Sequence, residues 1–161
     1  MARGFSLLEA MMAVVLVGLF ASAMLLPYTY GARAQQEGND RTTAVQLASD
    51  LMERVICLPF RDIDGDSQDP GPDPGENSVP ASFDNIDDYH GYTEQVGEML
   101  NMKMEVMDNS KYAFFSRSVS CEYTDTIPPQ ACSSDCRYIQ VTVTVYKNGK
   151  KLAGLEKLVS R

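Results

Sequence analysis

A chain of 161 residues has room for one small domain and an extended element, but not for two domains with full cores. Its formal net charge of -8 argues against nucleic acid as a partner, because phosphate binding requires clustered Lys and Arg. The charge is also sorted along the chain: residues 61–98 hold eleven Asp or Glu against Arg61 alone, and from Arg137 onward six Lys or Arg face Glu156 alone. Such asymmetry suits subunits that meet head to side, although a solvated surface is the simpler reading.

Residues 10–26 (AMMAVVLVGLFASAMLL) carry no charge. With residues 5–9 they make about 22 residues, or roughly 33 Å of helix, which matches a bilayer core. Three readings compete. A cleaved secretory signal would use Arg3 as its basic flank and Ala21-Ser22-Ala23 as its cleavage site. Glu9 speaks against it, since a carboxylate costs about 2.5–3.5 kcal/mol near the centre of a membrane helix, and less near its end. An uncleaved anchor keeps the helix but leaves Glu9 unexplained. Removal of residues 1–4 gives Glu9 a partner, because the new amine of Phe5 would stand one turn away, about 6 Å. In a staggered bundle, each Glu9 would then offset the amine of a neighbouring chain.

The segment Arg3-Gly4-Phe5-Ser6-Leu7-Leu8-Glu9 closely resembles the type IV prepilin signature. The resemblance implies that a membrane aspartyl peptidase cuts between Gly4 and Phe5 and methylates the Phe5 amine. It also implies that Glu9, fifth in the mature chain, guides assembly. Gly18 falls where many pilins have glycine. Pro27 comes one residue later than the usual helix-softening proline, and is expected to kink or loosen the helix. The implied partners are other pilin subunits, the prepilin peptidase and an inner-membrane assembly platform. The implied location is a single pass through the inner membrane with a periplasmic head, followed by entry into a pilus or pseudopilus at the cell surface.

Beyond Pro27 the pattern turns amphipathic. Ala44, Val45, Ala48, Leu51, Met52 and Val55 form one apolar stripe, with Arg41, Gln46, Asp50, Glu53 and Arg54 on the wet side. Gly31 and Gly38 weaken this half of the helix, and Pro59 ends it. The expected organisation is therefore a leader over 1–4, an apolar helix over 5–27, an amphipathic half over 28–58 and a head over 59–161. Residues 61–80 are rich in Pro and Gly and predict a long loop. The following Phe83-Asp84-Asn85-Ile86-Asp87-Asp88-Tyr89-His90-Gly91-Tyr92 resembles a segment of the minor pilins of mannose-sensitive haemagglutinin (MSHA) pili, of the MshD type. Residues 46–54 resemble the helix end of the same group. The C-terminal third alternates as strands over 112–123, 139–146 and 152–159. Asn148-Gly149 predicts a hairpin turn, and Gly154 is expected to interrupt the last strand. The fold class expected is α+β, pilin-like, with a small antiparallel sheet packed on the helix stripe.

Four cysteines stand at Cys57, Cys121, Cys132 and Cys136. Their spacing matches neither a redox pair nor a zinc site, so in an extracytoplasmic head disulfides are the natural reading. Four cysteines allow three pairings, and closure of the loop from Cys121 to Cys136 is favoured because apparent strands flank it.

Catalysis finds little support. His90 is the lone histidine, read as a hydrogen-bonded turn residue, and no nucleophile elbow, phosphate loop or zincin motif occurs. Asp87, Asp88 and His90 are too few and too local to define a metal site. Asp62, Asp64 and Asp66 alternate as at the start of an EF-hand loop. The glycine and the twelfth position do not match, so a solvated acidic loop is the main reading and Ca2+ the alternative. Met99, Met102, Met104 and Met107 read as core filling. The functional expectation is a minor pilin without cofactor. A minor pseudopilin of a type II secretion system is the alternative, separable by gene neighbourhood. A secreted ligand-binding domain behind a signal peptide is the rival from another class.

Overall fold

The computed structural model describes residues 6–60, 70–72, 79–126 and 136–161. The chain divides into two compact units, one ending at Asp40 and one running Arg41–Arg161. A single helix, α1 (Leu7–Ile56), supplies residues to both and is helical on either side of Pro27. It begins at a side-chain cap: Ser6 Oγ accepts from the Glu9 N–H at 3.3 Å. The pair Ser6 and Glu9 has the spacing of a capping box. Pro59 lies just beyond the other end, where its missing N–H can no longer extend the ladder.

In the second unit α1 is followed by a 3-10 turn (Asp87–Tyr89), β1 (Thr93–Glu94), a short α2 (Asn109–Tyr112), β2 (Phe115–Thr124), β3 (Tyr138–Lys147) and β4 (Lys150–Ser160). The strands form one antiparallel sheet in the order β1-β2-β3-β4. This is the α+β arrangement expected of a pilin-like chain: one long N-terminal helix and a small antiparallel sheet. Asn148 and Gly149 both have positive φ (50° and 75°), as a two-residue hairpin of the primed type requires. Gly154 does not interrupt β4. It pairs with Thr144, and the irregularity falls at Leu152, between the pairs Val145–Ala153 and Tyr146–Lys151.

The core lies on one face of β2 and β3, where Val119, Cys121, Ile139, Val141, Val143 and Val145 alternate inward. Ala44, Leu47, Ala48, Leu51, Met52 and Val55 of α1 belong to the same buried cluster. The helix stripe therefore differs from expectation at one position: Val45 is 46% exposed, and Leu47 takes its place. Each fully buried Leu or Val contributes roughly 1.5–3 kcal/mol, which outweighs the modest intrinsic preferences of either element. Met99 is buried and Met107 packs against the core, but Met102 and Met104 are exposed, so only half of the methionine group fills the interior.

Residues 83–92 are held by their own side chains. Asn85 Oδ1 accepts from the N–H groups of Asp87 and Asp88 at 2.9 and 3.1 Å. Asp88 Oδ2 accepts from those of Asp84 and Asn85, both at 3.0 Å. Phe83, Tyr89 and Tyr92 stack edge to face on one another. His90 Nδ1 lies 2.6 Å from the Cys121 carbonyl, so it is a tether between this turn and β2, in keeping with the turn role expected of it.

Candidate functional site

Two features stand out chemically, one in each unit. The first is the start of α1. Val14, Val15, Leu16 and Val17 step about 100° apart around the helix, and all are largely exposed; the least exposed of them, Leu16, is 51% exposed. A helix that is apolar all round requires lipid or other helices to cover it. By length and composition α1 is long and apolar enough to cross a membrane. Two hydroxyls within its apolar part are satisfied locally: Ser22 Oγ donates to Leu19 O at 2.9 Å and Thr29 Oγ1 to Leu26 O at 2.8 Å. That back-bonding lets hydroxyls sit in an apolar medium. Glu9 is the lone charge between Ser6 and Arg33. It occupies the first turn, where a carboxylate also meets the positive end of the helix dipole. Gly4 and Phe5, the expected cleavage pair, lie outside the described residues.

The second feature was not expected. Arg54, assigned by its residue type to the wet side of the helix, is 6% exposed. Its Nη1 donates to Glu94 Oε1 at 2.9 Å, and its Nη2 to Asn101 O at 3.0 Å. Arg117, 1% exposed, lies opposite Glu94 in the β1–β2 register. Its Nε donates to Glu94 Oε2 at 2.8 Å, its Nη2 also reaches that oxygen, and its Nη1 donates to Leu47 O at 3.0 Å. Leu100 N–H and the Tyr92 hydroxyl complete the shell around Glu94. Burial, reinforced by the Glu94 charge, raises the Tyr92 phenol and keeps it a neutral donor. One carboxylate and two guanidiniums thus join α1, β1, β2 and the loop at 100–101. Arg54 lies on the same helix face as the buried Leu47 and Leu51; its residue type had assigned it outward, and it goes inside because Glu94 is there to pair.

The cysteines separate. Cys136 is disulfide-bonded, whereas Cys57 and Cys121 are both free thiols. The favoured closure between Cys121 and Cys136 is therefore not made. Cys121 faces the core, where its Sγ donates to Ile86 O at 3.3 Å, while Cys57 is exposed beyond the end of α1. Cys132 lies outside the described residues. Burial, reinforced by Asp87 and Asp88, pushes the Cys121 thiol up to about 12. Between the ordinary thiol value and that point the unfolded chain ionises and the folded chain does not. Stability contributed by this group is therefore complete at neutral pH and falls as pH rises, by up to about 1.4 kcal/mol per pH unit. Alkaline unfolding curves should show this slope, and Cys121→Ala should flatten it. A thiol reagent should label Cys57 in the native protein and Cys121 only on unfolding; equal labelling rates would refute the burial argument.

Asp62, Asp64 and Asp66 lie outside the described residues. Among the described residues no group of three or more His, Cys, Asp or Glu is placed to hold a metal ion. Asp88 instead caps a turn through backbone N–H groups. No family model, curated protein or solved structure matches the chain.

Proposed function

We propose that the chain is a minor pilin, a structural subunit that is processed by a prepilin peptidase and assembled into a type IV pilus of the MSHA kind. The observation that carries this reading is a helix apolar on every face with one carboxylate in its first turn, joined to a small α+β head. A simple anchor needs no Glu9. A helix destined for a bundle does, because in a low-dielectric core the carboxylate fixes the stagger by pairing with a neighbouring Phe5 amine. Work is done by assembly: the apolar segments leave the bilayer together for the fibre centre, and the heads face outward. The buried Arg54–Glu94–Arg117 cluster supports the role by holding the head in one arrangement.

Mass spectrometry of the mature N-terminus tests the proposal. The expected product begins at Phe5 and carries one methyl group on its amine. A product beginning near Met24 would assign the segment to a secretory signal instead, and an intact Met1 would leave it a plain anchor.

A further inference from the structure

One end of the head carries four lysines and an exposed ring. The Asn148-Gly149 turn sets Lys147 opposite Lys150 and Tyr146 opposite Lys151. Asn148 N–H donates to Phe114 O at 3.0 Å, and Lys147 Nζ lies 5.2 Å from the centre of the Phe115 ring. Residues 111–115 are thereby fastened to the hairpin tip, and Lys111, itself 5.1 Å above Tyr112, joins the same end. Phe114 is 58% exposed, and Lys111, Lys150 and Lys151 are exposed too. The acid nearest in sequence, Asp108, stays charged but is outnumbered by the four lysines. It accepts from Ser110 N–H at 2.9 Å as the cap of α2, which holds its carboxyl below the usual range. In a chain of net charge -8, this end is a local island of positive charge with an aromatic centre.

We propose that this end of the head docks on an anionic phospholipid surface. Phe114 enters the boundary between headgroups and acyl chains, and Lys111, Lys147, Lys150 and Lys151 meet the phosphates. The proposal rests on reading the first part of α1 as a membrane helix, which brings a bilayer within the chain's own reach. A lipid surface accepts both the cations and a single protruding ring without needing a shaped pocket. An acidic protein neighbour would satisfy the cations, and is an outcome of the test.

The chain contains no tryptophan, so Phe114→Trp creates a single indole reporter. The full-length variant is reconstituted into vesicles of phosphatidylcholine with brominated acyl chains, with and without phosphatidylglycerol. The indole at position 114 should be quenched and blue-shifted in the anionic vesicles alone. Replacing Lys147, Lys150 and Lys151 by Gln should weaken that state about fivefold per lysine, in proportion to the surface potential each one senses. Val96→Trp, at another exposed apolar position of the head, should stay unquenched. Identical emission in the two lipids, or quenching no greater than at position 96, would overturn the docking. So would emission that tracks protein density rather than lipid charge, which would assign the lysines to an acidic protein surface. Flotation reports α1 separately: a chain that floats with the anionic vesicles but keeps an unquenched indole refutes the docking alone, and one that does not float with neutral vesicles refutes the membrane helix. An unchanged thermal transition establishes that the lysine variants are folded.

Discussion

Replacing Glu94 by Gln is expected to destabilise the head by about 3–5 kcal/mol, the cost of removing one partner from a buried ion pair. The amide keeps the volume of the carboxylate and removes its charge, leaving Arg54 and Arg117 facing one another across a site with almost no solvent. Backbone carbonyls of Leu47, Leu100 and Asn101 would still accept from the guanidiniums, but dipoles do not replace a full charge. A head of this size has a total stability on the order of 5–15 kcal/mol, so the loss is a large fraction of it. Urea unfolding of the full chain in detergent, followed by circular dichroism, measures it. A triple replacement, Arg54→Met with Glu94→Leu and Arg117→Met, should recover much of the loss, since a packed apolar core avoids the desolvation of three charges. A Glu94→Gln midpoint within about 1 kcal/mol of the parent would show that the cluster is solvated in solution, because exposed pairs are worth no more than that.

Glu9→Ala should leave cleavage and methylation intact and reduce entry into fibres by about a hundredfold or more. Breaking a desolvated carboxylate–amine pair costs about 3 kcal/mol or more, and every subunit added to a fibre makes that contact afresh. Quantitative immunoblotting of sheared fibres against the membrane pool gives the ratio. The helix cap offers a built-in comparison. Ser6 Oγ accepts from Glu9 N–H, so Ser6→Ala removes the cap without touching the carboxylate, at a cost of about 1 kcal/mol. If Ser6→Ala and Glu9→Ala impair assembly equally, Glu9 acts through the helix start and not through a neighbouring amine. Normal incorporation of Glu9→Ala would remove the pairing altogether.

These two acidic residues were unequally legible. Glu9 announces itself because its surroundings are its sequence neighbours: a charge in an unbroken apolar run is visible without coordinates. Glu94 sits in an unremarkable Tyr-Thr-Glu run, and β1 is two residues long, too short to show alternation. Its partner Arg54 is 40 residues away, and its other partner Arg117 is 23 away. Nothing local could announce either pairing. The cysteines show the same division. Their spacing allowed several bridges, and the inward face of β2 decided that Cys121 makes none of them. The hairpin at Asn148-Gly149 was legible, because two consecutive positive φ angles demand those residues; the bulge at Leu152 was not, because pairing with β3 sets it.

The apolar segment of α1, its lone carboxylate and the α+β class were readable from the sequence alone. Each depends on properties repeated along a local stretch: hydropathy, 3.6-residue or two-residue periodicity, and turn chemistry. Tertiary contacts put Arg54 inside, set Leu47 in place of Val45 on the buried stripe, and fasten the lysine-bearing hairpin tip to Phe114. Burying a charge is favourable only where an opposite charge is already held, and gathering like charges is tolerable only at a surface. Both are set by which distant segments the sheet brings together.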